Sequence, residues 1–456
     1  MMTHSQNLSG FLSRMGASDL PVEVADFVTE RIIDTVGVMI AASVKPHSRV
    51  VLATARELYG QGPITVTGEA QGLPLLEALM VNATMAHGID FDDGHNFLHP
   101  GCVSVPASLG FAQHVGASGD QVIRAVAAGY EASIRASLAA GIDHRIRGYH
   151  PTATCNIFGA AAAGGLMLGL DPERMEWALA IASTESSGLG QYKHDGSPIK
   201  HLHAGIAARK GGQAAFLARN GLRGFAEAFE GDLGFLQLNA NMKNLAELDA
   251  DLGSRYELLK TETKLYPSCR QTSCASDLAL DLHNQHGLRP EAVDRIQVRV
   301  PQWAMKEWHI SNEMPANNLR AILSITYCVA AAIRNGRLTV AEFEDSALAD
   351  PVVADLIGKI TVTEGTEETK GWPPLRGASI DVWRKDGEKI AVRSINAKGS
   401  PTTPLTGDDL RVKFMSLAAP VFGDATAGQL HGLLAEIGQQ PNIDPILALL
   451  RGPVRQ

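Results

Sequence analysis

The chain has 456 residues, 45% apolar and 20% charged, so it can bury a core and is not a disordered polymer. Forty Lys and Arg against 49 Asp and Glu give a net charge of −9, the reverse of what a non-specific nucleic-acid binder carries. Glycine is abundant, 45 residues against 22 prolines and 5% aromatics, which implies either many turns or closely packed helices.

The predicted elements run helix after helix over the first 260 residues. The first spans 21–43 behind the start signal Asp19-Leu20-Pro21, with Val24, Phe27, Val28, Ile32, Val36 and Ile40 at helical spacing. Helices follow over 75–87 and 120–140, the latter behind Ser118-Gly119-Asp120 as a cap. Three more cover 158–170, 172–187 and 204–220, and Asp171-Pro172 opens the middle one with a cap and a first-turn proline. Many are dense in Ala and Gly, which lets helix axes approach closely.

After about residue 260 the texture changes. Segments 292–300, 359–363, 378–383 and 389–394 are short and β-rich, and the last two flank the hairpin signal Lys385-Asp386-Gly387. Helices are expected at 271–285 and 319–335, and the chain turns helical again after Pro401-Thr402-Thr403-Pro404 to its end. The expected fold is mainly α. A large all-helical domain is formed by 1–263 and 402–456, with a smaller α+β lid domain inserted at 264–401. A cleft between two such domains is a common small-molecule site.

Five widely spread cysteines, with no Cys-x-x-Cys, lack the spacing of a zinc ribbon or an iron–sulfur cluster and fit reduced thiols. The first twenty residues have no apolar core of a signal peptide. No stretch is long and apolar enough to span a bilayer; 157–170 comes closest. The expectation is a soluble cytoplasmic protein with no membrane and no nucleic-acid partner.

Four polar segments interrupt the apolar pattern. The first, 87–101, holds Asp90, Asp92, Asp93, His87, His95 and His99. An EF-hand does not fit, because the twelfth position from Asp90 is Gly101. A metal site of Asp and His, or a polar loop of helix caps, both suit the composition. The second, 148–155, carries His150 with Thr152 and Thr154 at a helix start, where free N–H groups can meet an anion and His150 can move a proton; a plain helix cap is the alternative. The third, 188–205, reads as a loop feeding a helix and brings Lys200, His201 and His203 together as a basic knot, which the helix dipole disfavours without a functional reason. The fourth, 264–270 at the domain junction, offers Lys264 and Arg270 to carboxylates, or is a surface hinge. No Gly-x-Gly-x-x-Gly, Walker loop or Gly-x-Ser-x-Gly elbow occurs, so no nucleotide cofactor is indicated. The inventory of His, Lys, Asp and Arg suits proton abstraction next to a carboxylate.

Taken in order, Asp90-Phe91-Asp92-Asp93, Gly148-Tyr149-His150-Pro151-Thr152, Lys200-His201-Leu202-His203-Ala204-Gly205, Glu230-Gly231, Lys264-Leu265-Tyr266-Pro267, Ser324 to Ala330 and Gly399-Ser400-Pro401 resemble the MmgE/PrpD family across nearly the whole chain. Its members include 2-methylcitrate dehydratase, cis-aconitate decarboxylase and iminodisuccinate epimerase. The resemblance implies a helical domain with an α+β lid, a homodimer, and neither metal nor organic cofactor. Residue by residue it implies a site of Asp90, His99, His150, Lys200, Lys264 and Tyr327. His150 and Lys200 are the expected proton-transfer groups, and His99 and Tyr327 protonate or orient the substrate. Lys264, Arg270 and His203 hold carboxylates, with Thr152 and Cys269 completing the substrate-binding set. Asp90 orients a neighbouring His or Lys. Two departures stand out: Gly94 follows the DFDD motif where family dehydratases and decarboxylases tend to carry Thr, and Cys269 stands where the decarboxylase type tends to carry His. The expected activity is a hydro-lyase like 2-methylcitrate dehydratase on a small di- or tricarboxylate. An epimerase of an iminodisuccinate-like dicarboxylate and a cis-aconitate-type decarboxylase are the alternatives.

Overall fold

Thr3 and Ser118 begin their helices with reciprocal capping boxes, through Gln6 and Gln121, which satisfy amides that a helix start leaves unpaired. Asp171 caps in the expected way, its carboxylate accepting from the Arg174 amide at 2.8 Å. The computed structural model describes residues 2–16, 20–242, 244–306, 310–372 and 375–452; Asp19 of the expected start signal and the last four residues of the expected C-terminal helical region lie outside them.

The N-terminal helices are α1 (His4–Arg14), α2 (Val22–Ala42), α3 (Pro46–Tyr59), α4 (Leu75–Ala86), α5 (Gly101–Val115), α6 (Gly119–Ile146), α7 (Pro151–Thr154), α8 (Asn156–Met167), α9 (Pro172–Thr184), α10 (Tyr192–Asp195), α11 (Ile199–Arg219) and α12 (Phe235–Asn239). A sheet-bearing region follows: α13 (Arg270–Asn284), β1 (Val293–Val300), α14 (Gln302–Lys306), α15 (Asn318–Leu323), α16 (Ile325–Asn335), α17 (Pro351–Gly358), β2 (Ile360–Glu364), α18 (Thr366–Thr369), β3 (Ala378–Arg384) and β4 (Lys389–Ser394). The chain returns to helix in α19 (Gly407–Phe422), α20 (Asp424–Ala435) and α21 (Asp444–Leu450). The fold is mainly α, as expected.

Three differences from the sequence reading have local causes. The helix expected at 319–335 is two, because Ser324 adopts an extended backbone and its hydroxyl caps α16 by accepting from the Tyr327 amide. The α6 helix continues past residue 140 to Ile146 through a kink at Gly141. The α11 helix starts at Ile199 rather than 204, so the basic knot is helical and not a loop. The α5 helix was not expected either: it carries Pro106 in its interior, a residue that ordinarily reads as a breaker.

Among the described residues two large hydrophobic cores form, beside a small cluster of Leu170, Ala178 and Ala218. One gathers residues from Leu8 to Leu258 and takes up Phe414 to Leu450 from the C-terminal helices. The other gathers Tyr266 to Ala397, with Tyr192 added from α10. In the first, α8 is the central rod, packed by α6 and α11. Glycine allows this: a Cβ on Gly159 would lie 2.7 Å from the Gly129 carbonyl oxygen, and one on Gly211 would lie 2.3 Å from that of Ile157. In the second, the sheet order is β2-β1-β3-β4, with β1 and β2 parallel and the other pairs antiparallel.

The C-terminal helices also reach the polar loop at 87–101. Buried Lys413 on α19 lies 2.6 Å from Asp34 of α2 and donates to the Phe91 carbonyl at 2.8 Å. Lys413→Met leaves the Asp34 charge buried without this partner, and is expected to cost about 3–5 kcal/mol in urea denaturation. A loss below about 1 kcal/mol would show that the pair does not hold α19 to the loop.

Candidate active site

The loop 87–100 sits at the meeting of the two cores. Gly94 and Glu262 exchange backbone hydrogen bonds of 2.9 and 2.8 Å, which ties the loop to the segment carrying Lys264. The Thr263 amide bonds the Gly399 carbonyl at 2.9 Å, so the two crossings between the cores lie side by side. Asp90 and Asn96 hold left-handed backbones, φ 52° and 53°, conformations that cost a non-glycine residue energy and cluster at functional sites.

Asp90 is the inner anchor. Lys200 Nζ lies 2.7 Å from one carboxylate oxygen, and Lys264 Nζ lies 2.6 Å from the other. Lys264 also donates to the Asp90 carbonyl at 2.7 Å. Burial opposes charge on Asp90, but Lys200 and then Lys264 outweigh it and hold the carboxyl well below its usual range. Burial likewise opposes charge on Lys264, and Asp90 and Asp92 reverse that and raise it. One carboxylate thus serves two ammonium groups, with the second buried carboxylate, Asp92, close by.

The histidines are ordered by hydrogen bonds. His99 Nδ1 lies 2.7 Å from the Asp93 carbonyl oxygen, which can only accept, so Nδ1 carries the proton. In the neutral ring Nε2 is then the basic nitrogen, and it lies 4.0 Å from Asp90. Asp92 braces this ring from 3.3 Å and bonds His87 Nδ1 at 2.8 Å. His150 Nδ1 is 3.0 Å from His203 Nδ1, so one ring donates and the other accepts. Burial first, then His203 and His87, hold His150 well below the usual imidazole range. Burial, then Lys200, brings His203 down to about 4. Both rings are therefore neutral at physiological pH.

A cavity brings together Asp90, His99, His150, Lys200, Cys269 and Arg270. The other expected residues are placed elsewhere. Lys264 and His203 are not among its lining residues and contact Asp90 and His150, which do line it. Thr152 is fully buried and its hydroxyl accepts from the His99 amide at 3.3 Å. Tyr327 is not among the lining residues: on α16 its hydroxyl donates to the Glu342 carbonyl and its ring packs on Phe343, inside the second core. Arg270 pairs with Glu262 while lining the cavity.

Sequence reasoning missed Phe97, Arg145, Tyr192, Lys193 and Arg376, all of which line this cavity. Phe97 and Lys193 stood inside polar segments without an assigned role. Arg376 lies in an irregular stretch before β3 that offered no signal. Five cations thus line the cavity, and Asp90 is the one carboxylate among the described lining residues. A larger cavity lies beyond the start of α11 and is lined by His47 and His201, but it lacks Lys200, His99 and His150.

His87, Asp90, Asp92 and His99 also offer four donor atoms within 4.8 Å of one another, a set chemically suited to a divalent metal. The two lysines on Asp90 compete for that place, since a dication there meets both ammonium groups.

Comparison with known proteins matches residues 6–247 to the MmgE/PrpD N-terminal domain and 266–433 to the MmgE/PrpD C-terminal domain. The chain belongs to the MmgE/PrpD family. The second match begins at the junction and runs through α19 into α20, helices that pack in the first core. Among MmgE/PrpD relatives, a cis-aconitate decarboxylase of Aspergillus terreus is 25% identical over 472 residues, 97% of this chain and 95% of its own. The cis-aconitate decarboxylase of Homo sapiens is 27% identical over 402 residues, 84% of this chain and 80% of its own. That of Mus musculus is 27% identical over 406 residues, 84% and 79% of the two chains. Among the described residues no helix is long and apolar enough to cross a membrane.

Proposed function

We propose that this protein is a cofactor-independent lyase acting on a small di- or tricarboxylate, with dehydration as its first reading and the sheet-bearing region as the lid over the site. The observation that carries this is the cationic cavity around His99, His150 and Lys200. Cations hold the substrate carboxylate and offset the enolate-like charge that develops when the adjacent carbon loses its proton. Neutral His150 takes that proton, with His203 sharing its Nδ1 hydrogen bond. The carbon–oxygen bond to the departing hydroxyl then breaks. Lys200 supplies the proton that lets it leave as water, and an alkene remains. Asp90 holds Lys200 in place and does not itself react.

Decarboxylation is the second reading, favoured by the names of the relatives. In it a carbon–carbon bond breaks, carbon dioxide leaves, and the carbon takes a proton from Lys200. The neutral state of His150 suits removing a proton better than giving one.

Incubation with 2-methylcitrate, cis-aconitate and iminodisuccinate in deuterium oxide tests these readings together. A new alkene absorbance from the hydroxy acid, without carbon dioxide, is the expected result. Carbon dioxide from cis-aconitate would establish the second reading. Deuterium at Cα with neither product would point to epimerisation. No turnover and no exchange with any of them would overturn the proposal. Exhaustive chelation is expected to leave the rate unchanged, and a loss restored by added metal would place an ion in the His87, Asp90, Asp92, His99 set.

A further inference from the structure

The segment 188–197 lies between α9 and α11 and is tied to both regions of the fold. At its start it is stitched to the stretch that carries His150. The His150 amide donates to the Gly188 carbonyl at 3.1 Å, and the Gly190 amide donates to the Gly148 carbonyl at 2.6 Å. At its end it is held by the sheet-bearing region. Asn317, the cap of α15, donates to the Asp195 carbonyl at 3.2 Å, and Arg320 donates to the His194 carbonyl. Gly196 permits this approach: its φ is 73°, and a Cβ there would lie 2.6 Å from Asn317 Oδ1.

Tyr192 sits on this strap, 5% exposed, lining the cavity and packed in the second core. Its ring stands edge-on to two imidazoles, 5.1 Å from His150 and 5.8 Å from His203, with interplanar angles of 62° and 75°. Those imidazoles meet Nδ1 to Nδ1 at 3.0 Å. Such a bond needs one ring protonated on Nδ1 and the other bare there. The rings come from separate elements, His150 from the cap of α7 and His203 from α11, so side-chain contacts set their mutual tilt. Edge-on aromatic contact is directional, and one ring touching both imidazoles constrains both at once.

We propose that Tyr192 is a positioning residue that holds the His150–His203 pair in register, and that the strap carrying it makes this register depend on the seating of the sheet-bearing region. The inference rests on the reading of His150 as the base and adds what aligns it. By this account α10, although it precedes α11 in the chain, works with the sheet-bearing region.

Imidazole N–H exchange, followed by NMR on the full chain with ¹⁵N-labelled histidine, tests this. The wild type is expected to show a slowly exchanging N–H resonance that is absent from both His150→Gln and His203→Gln. Tyr192→Phe keeps the ring and should keep the resonance. Tyr192→Ala and Arg320→Met are each expected to speed its exchange at least about fivefold, the scale of losing one contact that holds the strap closed. Arg320 does not line the cavity, so its variant keeps the test decisive if Tyr192→Ala fails to fold. A wild type without the resonance, or exchange unchanged in Tyr192→Ala, would overturn the role of the ring. Exchange unchanged in Arg320→Met would overturn the tie to the sheet-bearing region. The measurement needs no substrate, so its failure is distinct from that of the base assignment, which turnover of His150→Ala decides.

Discussion

Lys200→Ala and His150→Ala are each expected to lower kcat by about a thousandfold while the chain stays folded, since a positioned acid or base contributes about 10²–10⁴ in rate. The two variants act through different losses. Lys200→Ala removes the proton donor and half of the positive charge on Asp90, yet Lys264 still pairs with that carboxylate at 2.6 Å. The native structure therefore keeps its buried anion partnered. His150→Ala removes the neutral base and leaves His203 without its 3.0 Å partner. His203→Gln should show a smaller loss, because it perturbs the tautomer of His150 without removing the reacting ring. Turnover with 2-methylcitrate or cis-aconitate, read beside circular dichroism, checks all three. Near-wild-type rates in both alanine variants would remove the assignment.

The second large effect is acid instability. His47, His87, His95, His144 and His203 are each brought down to about 4, burial being the main cause in every case. An unfolded chain restores the ordinary value near 6.5. Between pH 6.5 and 4 the unfolded state therefore binds protons that the native state refuses, and stability falls as pH falls. At pH 5 each ring contributes a loss of about 2 kcal/mol relative to neutral pH. Asp93 works the other way: burial raises it to about 7, so the native state takes up its proton first and returns about 2 kcal/mol at pH 5 relative to neutral pH. The balance is still a loss comparable to the whole stability of an ordinary domain. Urea unfolding at pH 7 and pH 5 is expected to show it, and His47→Phe is expected to flatten the dependence by about one ring's share. Equal stability at the two pH values would contradict the burial of these rings as neutral groups.

Much of the site was legible because its residues lie in short polar interruptions of an apolar chain. Asp90, His99, His150 and Lys200 come from three such interruptions and meet in one cavity. Their roles were less legible. Lys264 and His203 have the same chemistry as Lys200 and His150, yet they do not line the cavity and contact Asp90 and His150 instead. Tyr327 shares a family motif but lies inside the second core, on a helix that is buried all round from Ile325 to Ile333. The register of α11 was misread by five residues, although Pro198 stands just before its true start. Arg376 could not have been found, since an isolated arginine in an irregular stretch carries no periodic signal.

By itself the sequence determined what is local: helices from apolar spacing and capping residues, the hairpin of β3 and β4 from Lys385-Asp386-Gly387, and the change of texture near residue 260. It also carried the family, through motifs spread along the chain. Only the tertiary structure decided which of several like cations faces the cavity and which braces Asp90. The physical reason is that charge, protonation and reach depend on neighbours far along the chain, such as Asp90 and Lys264, 174 positions apart. The glycine excess shows both sides of this division. Its abundance is a fact of composition, but that Gly159 and Gly211 are needed where α6 and α11 close on α8 follows from the packing alone.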